Sequence, residues 1–131
     1  MINRNSILLA ENDPSVLYTL SGILQESGFR VSTAARLEEA RELLDRHEFD
    51  AVFTEVTLER EDEGLELARL AKCRPYAPVV LVDTSNPTIE KLRDIMHARV
   101  DYVLFKPFDL EEVQTALNRL IAHRADALSP A

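Results

Sequence analysis

Four short segments of the 131-residue chain gather side chains that can handle charge. They are Glu11-Asn12-Asp13, Glu55, Asp83-Thr84-Ser85 and Lys106-Pro107. Carboxylate and amide oxygens are hard ligands of the kind Mg²⁺ takes. Glu11, Asp13 and Glu55, with Asp83 beside them, are therefore candidate metal ligands. The Lys106 ammonium is the competing counter-charge, and it would neutralise the cluster without a metal. Asp13 has a second possible task. Standing before Pro14, it reads as a helix N-cap with proline at the first helical position. Each segment also follows directly on an apolar run, and strand ends that face water carry polar groups in any protein.

Those apolar runs are the elements that must position the charges. They are Ile7–Ala10, Ala51–Thr54, Pro78–Val82 and Tyr102–Phe105. A fifth, Phe29–Thr33, alternates with polar residues and is expected at a sheet edge. Between the runs lie stretches with apolar residues at helical spacing. The first carries Val16, Leu17, Leu20, Ile23 and Leu24, and Gly28 stops it. The second carries Leu37, Ala40, Leu43 and Leu44. The third carries Leu65, Ala68, Leu70 and Ala71, and the charged loop 59–64 precedes it. The fourth carries Ile89, Leu92, Ile95 and Met96 behind Asn86-Pro87, a second cap-plus-proline start. The last carries Leu110, Val113, Leu117, Leu120 and Ile121. It begins with Asp109-Leu110-Glu111-Glu112, which reads as a capping box.

Five strand–helix units with continuous apolar strands predict an α/β fold with a doubly wound parallel sheet between two helix layers. In such a sheet, function collects at the carboxyl ends of the strands. All four charged segments fall there. The expected domain spans 6–124, with a frayed tail over 125–131.

Composition narrows the function. The net charge of −8, with basic residues dispersed, argues against sequence-independent nucleic-acid binding. The longest apolar run, Val79–Val82, is too short to cross a bilayer. With no apolar signal segment behind Met1, a cytoplasmic location is the default expectation. The single cysteine, Cys73, makes no internal disulfide. His47, His97 and His123 have no metal-ligand spacing. Three glycines, with no Gly-rich phosphate loop and no nucleophile elbow, weigh against a flavodoxin-like ligand-binding or enzymatic domain.

The landmarks and their order resemble response regulator receiver domains over about residues 6 to 122. Ile7–Pro14 is similar to the family's first strand, which ends in an acidic pair. Phe49–Glu55 resembles the strand that delivers the phosphoacceptor aspartate. Pro78–Val82 resembles the strand followed by Thr or Ser, and Val103–Phe108 the lysine segment. The resemblance implies a sheet order of 2-1-3-4-5. It also implies phosphoryl transfer from a histidine kinase to an aspartate, with Mg²⁺ held nearby. The implied partners are a histidine kinase or a downstream output protein. A homodimer through the fourth helix, fifth strand and fifth helix is also implied.

The match departs from the family at the reacting groups. Glu55 stands at the acceptor position and reaches about 1.5 Å further than aspartate. Asn12 replaces the second acid. Asp83 occupies the Thr/Ser switch position, with Thr84 one residue on. Val103 stands where the family has a switch aromatic, and the adjacent Tyr102 should face the other side. The loop after Glu55 lacks the usual proline and is one residue longer. Lys106 and Pro107 persist. The expectation is an atypical receiver, not an enzyme, that acts by docking in two-component signalling. In it Glu55 is a degenerate acceptor, and Glu11, Asn12 and Asp13 form a vestigial acidic pocket. A Glu55–Lys106 pair would imitate phosphate only in part, with one charge for nearly two. The alternative is phosphotransfer to Asp13 or Asp83.

Overall fold

Why the strands form one buried sheet is visible in their residues. The computed structural model describes residues 5–85 and 87–129. Strands β1 (Ser6–Ala10), β2 (Arg30–Ala34), β3 (Ala51–Glu55), β4 (Val79–Thr84) and β5 (Tyr102–Phe105) pair in parallel in the order β2-β1-β3-β4-β5. The central strands β1, β3 and β4 are apolar almost throughout and buried on both faces, as a parallel sheet between helix layers requires. The mixed-polarity β2 takes one edge, as its alternation predicts, with Arg30 exposed and Val31 half-buried.

Helices α1 (Pro14–Glu26) and α5 (Leu110–Leu128) cover one face of the sheet, and α2 (Leu37–Arg46), α3 (Glu63–Lys72) and α4 (Ile89–His97) the other. Alternation along each strand divides the core in two. Ile7, Leu9, Phe53 and Leu81 pack with Leu20, Leu24, Leu117 and Ile121. Leu8, Val52, Val80 and Val82 pack with Leu44, Leu65, Leu67 and Ile95. In α3 the most deeply buried side chains include Leu67, which the helical spacing passes over in favour of the half-buried Leu70. The helix lies so close to the sheet that its buried face is wider than a simple stripe.

Helix starts follow local chemistry, with two differences from the sequence expectation. Asp13 caps α1 as predicted, accepting from the backbone N–H groups of Ser15 and Val16. For α4, Asn86 lies outside the described residues, and Thr88 is the cap, its hydroxyl oxygen accepting from Lys91 N–H at 3.1 Å. Asp109 caps α5 through Glu111 N–H, whereas Glu112 accepts from the Tyr102 hydroxyl at 2.8 Å instead of serving a capping box.

The expected boundary at 124 falls inside α5, which continues to Leu128. Arg124 fastens these last turns to the body by donating to the carbonyls of Tyr76 and Ala77 and pairing with Asp50. Ser129 closes the helix by donating to Ala125 O. Pro130 and Ala131 of the expected tail lie outside the described residues. Among the described residues no helix is long and apolar enough to cross a membrane.

One glycine sets how closely α3 approaches the end of β3. Gly64 N–H donates to Val56 O at 2.8 Å, and a Cβ on Gly64 would lie 1.8 Å from the backbone oxygen of Glu55. Alanine would gain up to about 1 kcal/mol in helix propensity. The clash with backbone outweighs that gain. Gly64→Ala should destabilise the fold by at least about 2 kcal/mol, measured by urea unfolding.

Candidate functional site

Four parallel strands deliver the site, and the registers of β1, β3 and β4 bring its three carboxylates level. Glu55, the last residue of β3, stands opposite Asp83 of β4, and Val56 N–H donates to Asp83 O. Glu11 follows β1 directly, held by its N–H to Ala34 O, and its side chain accepts from Asp13 N–H. Lys106 follows β5, with its N–H donating to Thr84 O at 3.0 Å. The Phe108 ring packs on Phe53, with centroids 6.0 Å apart, and so anchors the segment that carries the lysine.

The result is one ammonium among three carboxylates. Lys106 Nζ lies 3.5 Å from Glu55 Oε2, 3.5 Å from Asp83 Oδ2 and 3.8 Å from Glu11 Oε1. Glu11 and Asp83 are each 3% exposed, so their charges are largely removed from water. Partial burial is costly for three negative groups facing one positive group.

That imbalance shows in the titration of Glu55, Asp83 and Lys106. Burial pushes the Glu55 carboxyl up to about 8, and a hydrogen bond with Glu11 and the charge of Glu11 add to the push, while Lys106 opposes it. Burial raises Asp83 to about 6, again against the pull of Lys106. For Lys106 itself burial acts downward, but Asp83, Glu11 and Glu55 together hold it above the ordinary lysine range. The closely placed Glu55 and Glu11 carboxyls thus hold a proton more tightly than a free carboxylate would, and the push is upward at Glu55.

The other sequence candidates stand around this cluster, with Thr84 and Ser85 lining the pocket mouth alongside Glu55 and Asp83. Asn12 is exposed, and its side-chain amide donates to Ala35 O at 3.2 Å. Asp13 is exposed and engaged as the α1 cap. Thr84 is buried at the end of β4, and Ser85 beyond it is exposed. Val103 stands opposite Val82 and packs against the core on the α2–α4 side, while Tyr102 belongs to the opposite face, as the strand alternation predicts.

Sequence reasoning missed the residues at the pocket mouth. Beside Glu55 and Asp83, the mouth is lined by Glu61 from the loop before α3 and by Lys91 from α4. A signal was present in the sequence. A lysine in the first turn of a helix opposes the helix dipole and calls for a partner.

With this geometry in place, comparison with known proteins identifies the scaffold. The sequence matches the response regulator receiver domain family over residues 7–118. The chain belongs to that family. The receiver domain is 35% identical over 112 residues to the alginate biosynthesis transcriptional regulatory protein AlgB of Pseudomonas aeruginosa, covering 84% of this chain and 24% of AlgB. It is 29% identical over 124 residues to the DNA-binding transcriptional regulator NtrC of a Bradyrhizobium species, covering 95% of this chain and 26% of NtrC. It thus spans about a quarter of the length of these relatives.

Among solved structures, a CheY-like receiver domain protein from Methanospirillum hungatei superposes with a TM-score of 0.87 at 19% identity, covering 95% of this chain and 99% of that one. The receiver domain of sensor histidine kinase PA1611 from Pseudomonas aeruginosa superposes with a TM-score of 0.80 at 24% identity, covering 92% and 99%. That structure has a magnesium ion coordinated in its active-site cleft. The receiver fold and a regulatory, non-enzymatic role in signalling follow from the family.

The donor set of this receiver domain does not fit such an ion. The Lys106 ammonium pairs with all three pocket carboxylates, Asn12 turns its amide to a carbonyl, and Asp13 caps a helix. Among the described residues no group of three His, Cys, Asp or Glu side chains is disposed to hold a metal.

The raised carboxyls have a thermodynamic consequence with a definite sign. Above its ordinary value of 4.5 the unfolded chain loses the Glu55 proton, while the folded chain keeps it to about 8. Stability from this group is therefore complete below that window and falls as pH rises through it. Asp83 acts the same way between 3.8 and about 6. The melting temperature should fall from about pH 5 to about pH 8, and Glu55→Gln should flatten the upper part of that decline. Thermal melts of both proteins across the range check it.

Proposed function

We propose that this receiver domain signals by protein–protein docking, without conventional phosphorylation at the acceptor position. The observation that carries the reading is Lys106, already paired with Glu55, Asp83 and Glu11. In ordinary phosphoryl transfer the lysine and a metal receive the charge of the incoming phosphate. Here the lysine is engaged by resident carboxylates, and buried Asp83 would repel a phosphoryl group. A nucleophilic carboxylate must also be ionised, and burial with Glu11 alongside pushes the Glu55 carboxyl upward, against ionisation. The same push weakens the idea that Glu55 imitates a phosphorylated state, because it opposes the negative charge that the imitation needs.

The alternative acceptors are no better supported. Asp83 is 3% exposed, and Asp13 is committed to the N-terminus of α1. The docking surface is the face formed by α4, β5 and α5, where Ile89, Met96, Phe105 and Leu110 are exposed. Its occupants would be a histidine kinase, a downstream output protein or a second copy of the chain.

Incubation with acetyl phosphate and Mg²⁺, followed by intact-mass measurement, tests the central claim. No stoichiometric phosphate adduct is expected. An adduct abolished by Glu55→Gln, Asp83→Asn or Asp13→Asn would overturn the proposal and name the acceptor.

A further inference from the structure

The lining of the pocket mouth links two elements that share little else. Helix α4 is weakly embedded. Of its nine residues only Ile95, near its carboxyl end, is buried. Ile89 and Met96 are 76% and 75% exposed. Its first turn is nevertheless tied across the mouth of the pocket. The Lys91 ammonium pairs with Asp62, and lies 3.4 Å from Glu61 Oε1, in the loop between β3 and α3. The Lys91 side chain is 14% exposed, lying along the protein surface to reach the more exposed Asp62 and Glu61.

Asp62 is arranged for this pairing at its own expense. It sits at the N-cap of α3 yet makes no side-chain capping bond, although capping is what aspartate does best there. Its backbone is in the left-handed region, with φ 66, which an aspartate adopts less readily than glycine. Lys91, for its part, places a cation where the α4 dipole favours an anion. Two residues thus give up local stabilisation, and the contact between them is what both gain.

We propose that Lys91 is a clasp. By pairing with Asp62 and Glu61 it holds the first turn of α4 over the mouth of the Glu55 pocket and fixes how Ile89 and Met96 are presented. Opening the clasp releases the amino-terminal half of α4, which pivots on Ile95. The clasp acts whether or not a carboxylate of the pocket accepts phosphate, so its test is independent of the labelling experiment.

Hydrogen exchange followed by mass spectrometry on the intact chain tests it with two variants. Lys91→Met keeps the apolar stem and removes the charge. Asp62→Gly removes the partner and suits the left-handed backbone, so it should not unfold the loop. Each should speed exchange in peptides covering 88–95 by about threefold or more, with α1 and α5 unchanged. The double variant should exchange no faster in α4 than Lys91→Met alone, since both remove one contact. Unchanged α4 exchange in the single variants, or additive effects in the double, would overturn the clasp. Acceleration spread evenly over all helices would also overturn it, as general loss of stability.

Discussion

Burial of β1, β3 and β4 on both faces is the constraint from which the rest of the molecule follows. A parallel strand with helices above and below offers no solvated side, so its polar residues collect at its ends. Ile7, Leu8 and Leu9 face Ala51, Val52 and Phe53 in register, and Val52, Phe53 and Thr54 face Val80, Leu81 and Val82. Slipping any of these pairings by one residue would exchange the two halves of the core. The same registers leave Glu55 and Asp83 level at one rim, with Glu11 and Lys106 beside them. The site is therefore a by-product of how the core must pack, and its side-chain types are free to vary while the scaffold persists.

What occupies that rim here is a self-neutralising cluster. One lysine serves three carboxylates in a partly dry setting, and the excess of negative groups pushes the Glu55 carboxyl upward. An arrangement of this kind is internally satisfied. Among the described residues no buried side-chain nitrogen or oxygen is left without a hydrogen-bond partner. A pocket poised to take up an anion keeps its cation available, whereas this one has engaged it. Glu55 and Asp83 thus belong to one electrostatic arrangement with Glu11 and Lys106, and neither is well understood alone.

The weakly embedded α4 carries much of the exposed apolar surface, so small forces on its first turn have a large influence on what the domain displays. Ile95 anchors one end, and Lys91 reaches from the other to the loop that follows the acceptor position. Under the proposed clasp, the tie between that loop and α4 would give the pocket a physical route to the exposed Ile89 and Met96. The route does not require a phosphate.

Most of the architecture was legible in the chain because it rests on local pattern. The apolar runs, the helical spacing, the Asp13-Pro14 cap and the edge character of β2 each depend on neighbouring residues. The landmarks Glu11, Glu55 and Lys106 stand in order along the chain, so the residues that meet at the rim were readable as well. Legibility failed where a choice depended on distant groups. Leu67 outranks Leu70 in burial because of the sheet beneath α3, and Arg124 carries α5 past residue 124 by binding carbonyls 47 and 48 positions away. The sequence by itself determined the fold, the strand ends that would form a site and the loss of aspartate from it. Only the tertiary structure decided that the Asp13 and Asn12 side chains stand outside the cluster, that Lys106 serves three acids, that burial pushes the Glu55 carboxyl upward and that Lys91 crosses to Asp62. Those outcomes are set by burial and by distances between residues far apart in the chain, and charges in a dry pocket respond to those quantities above all.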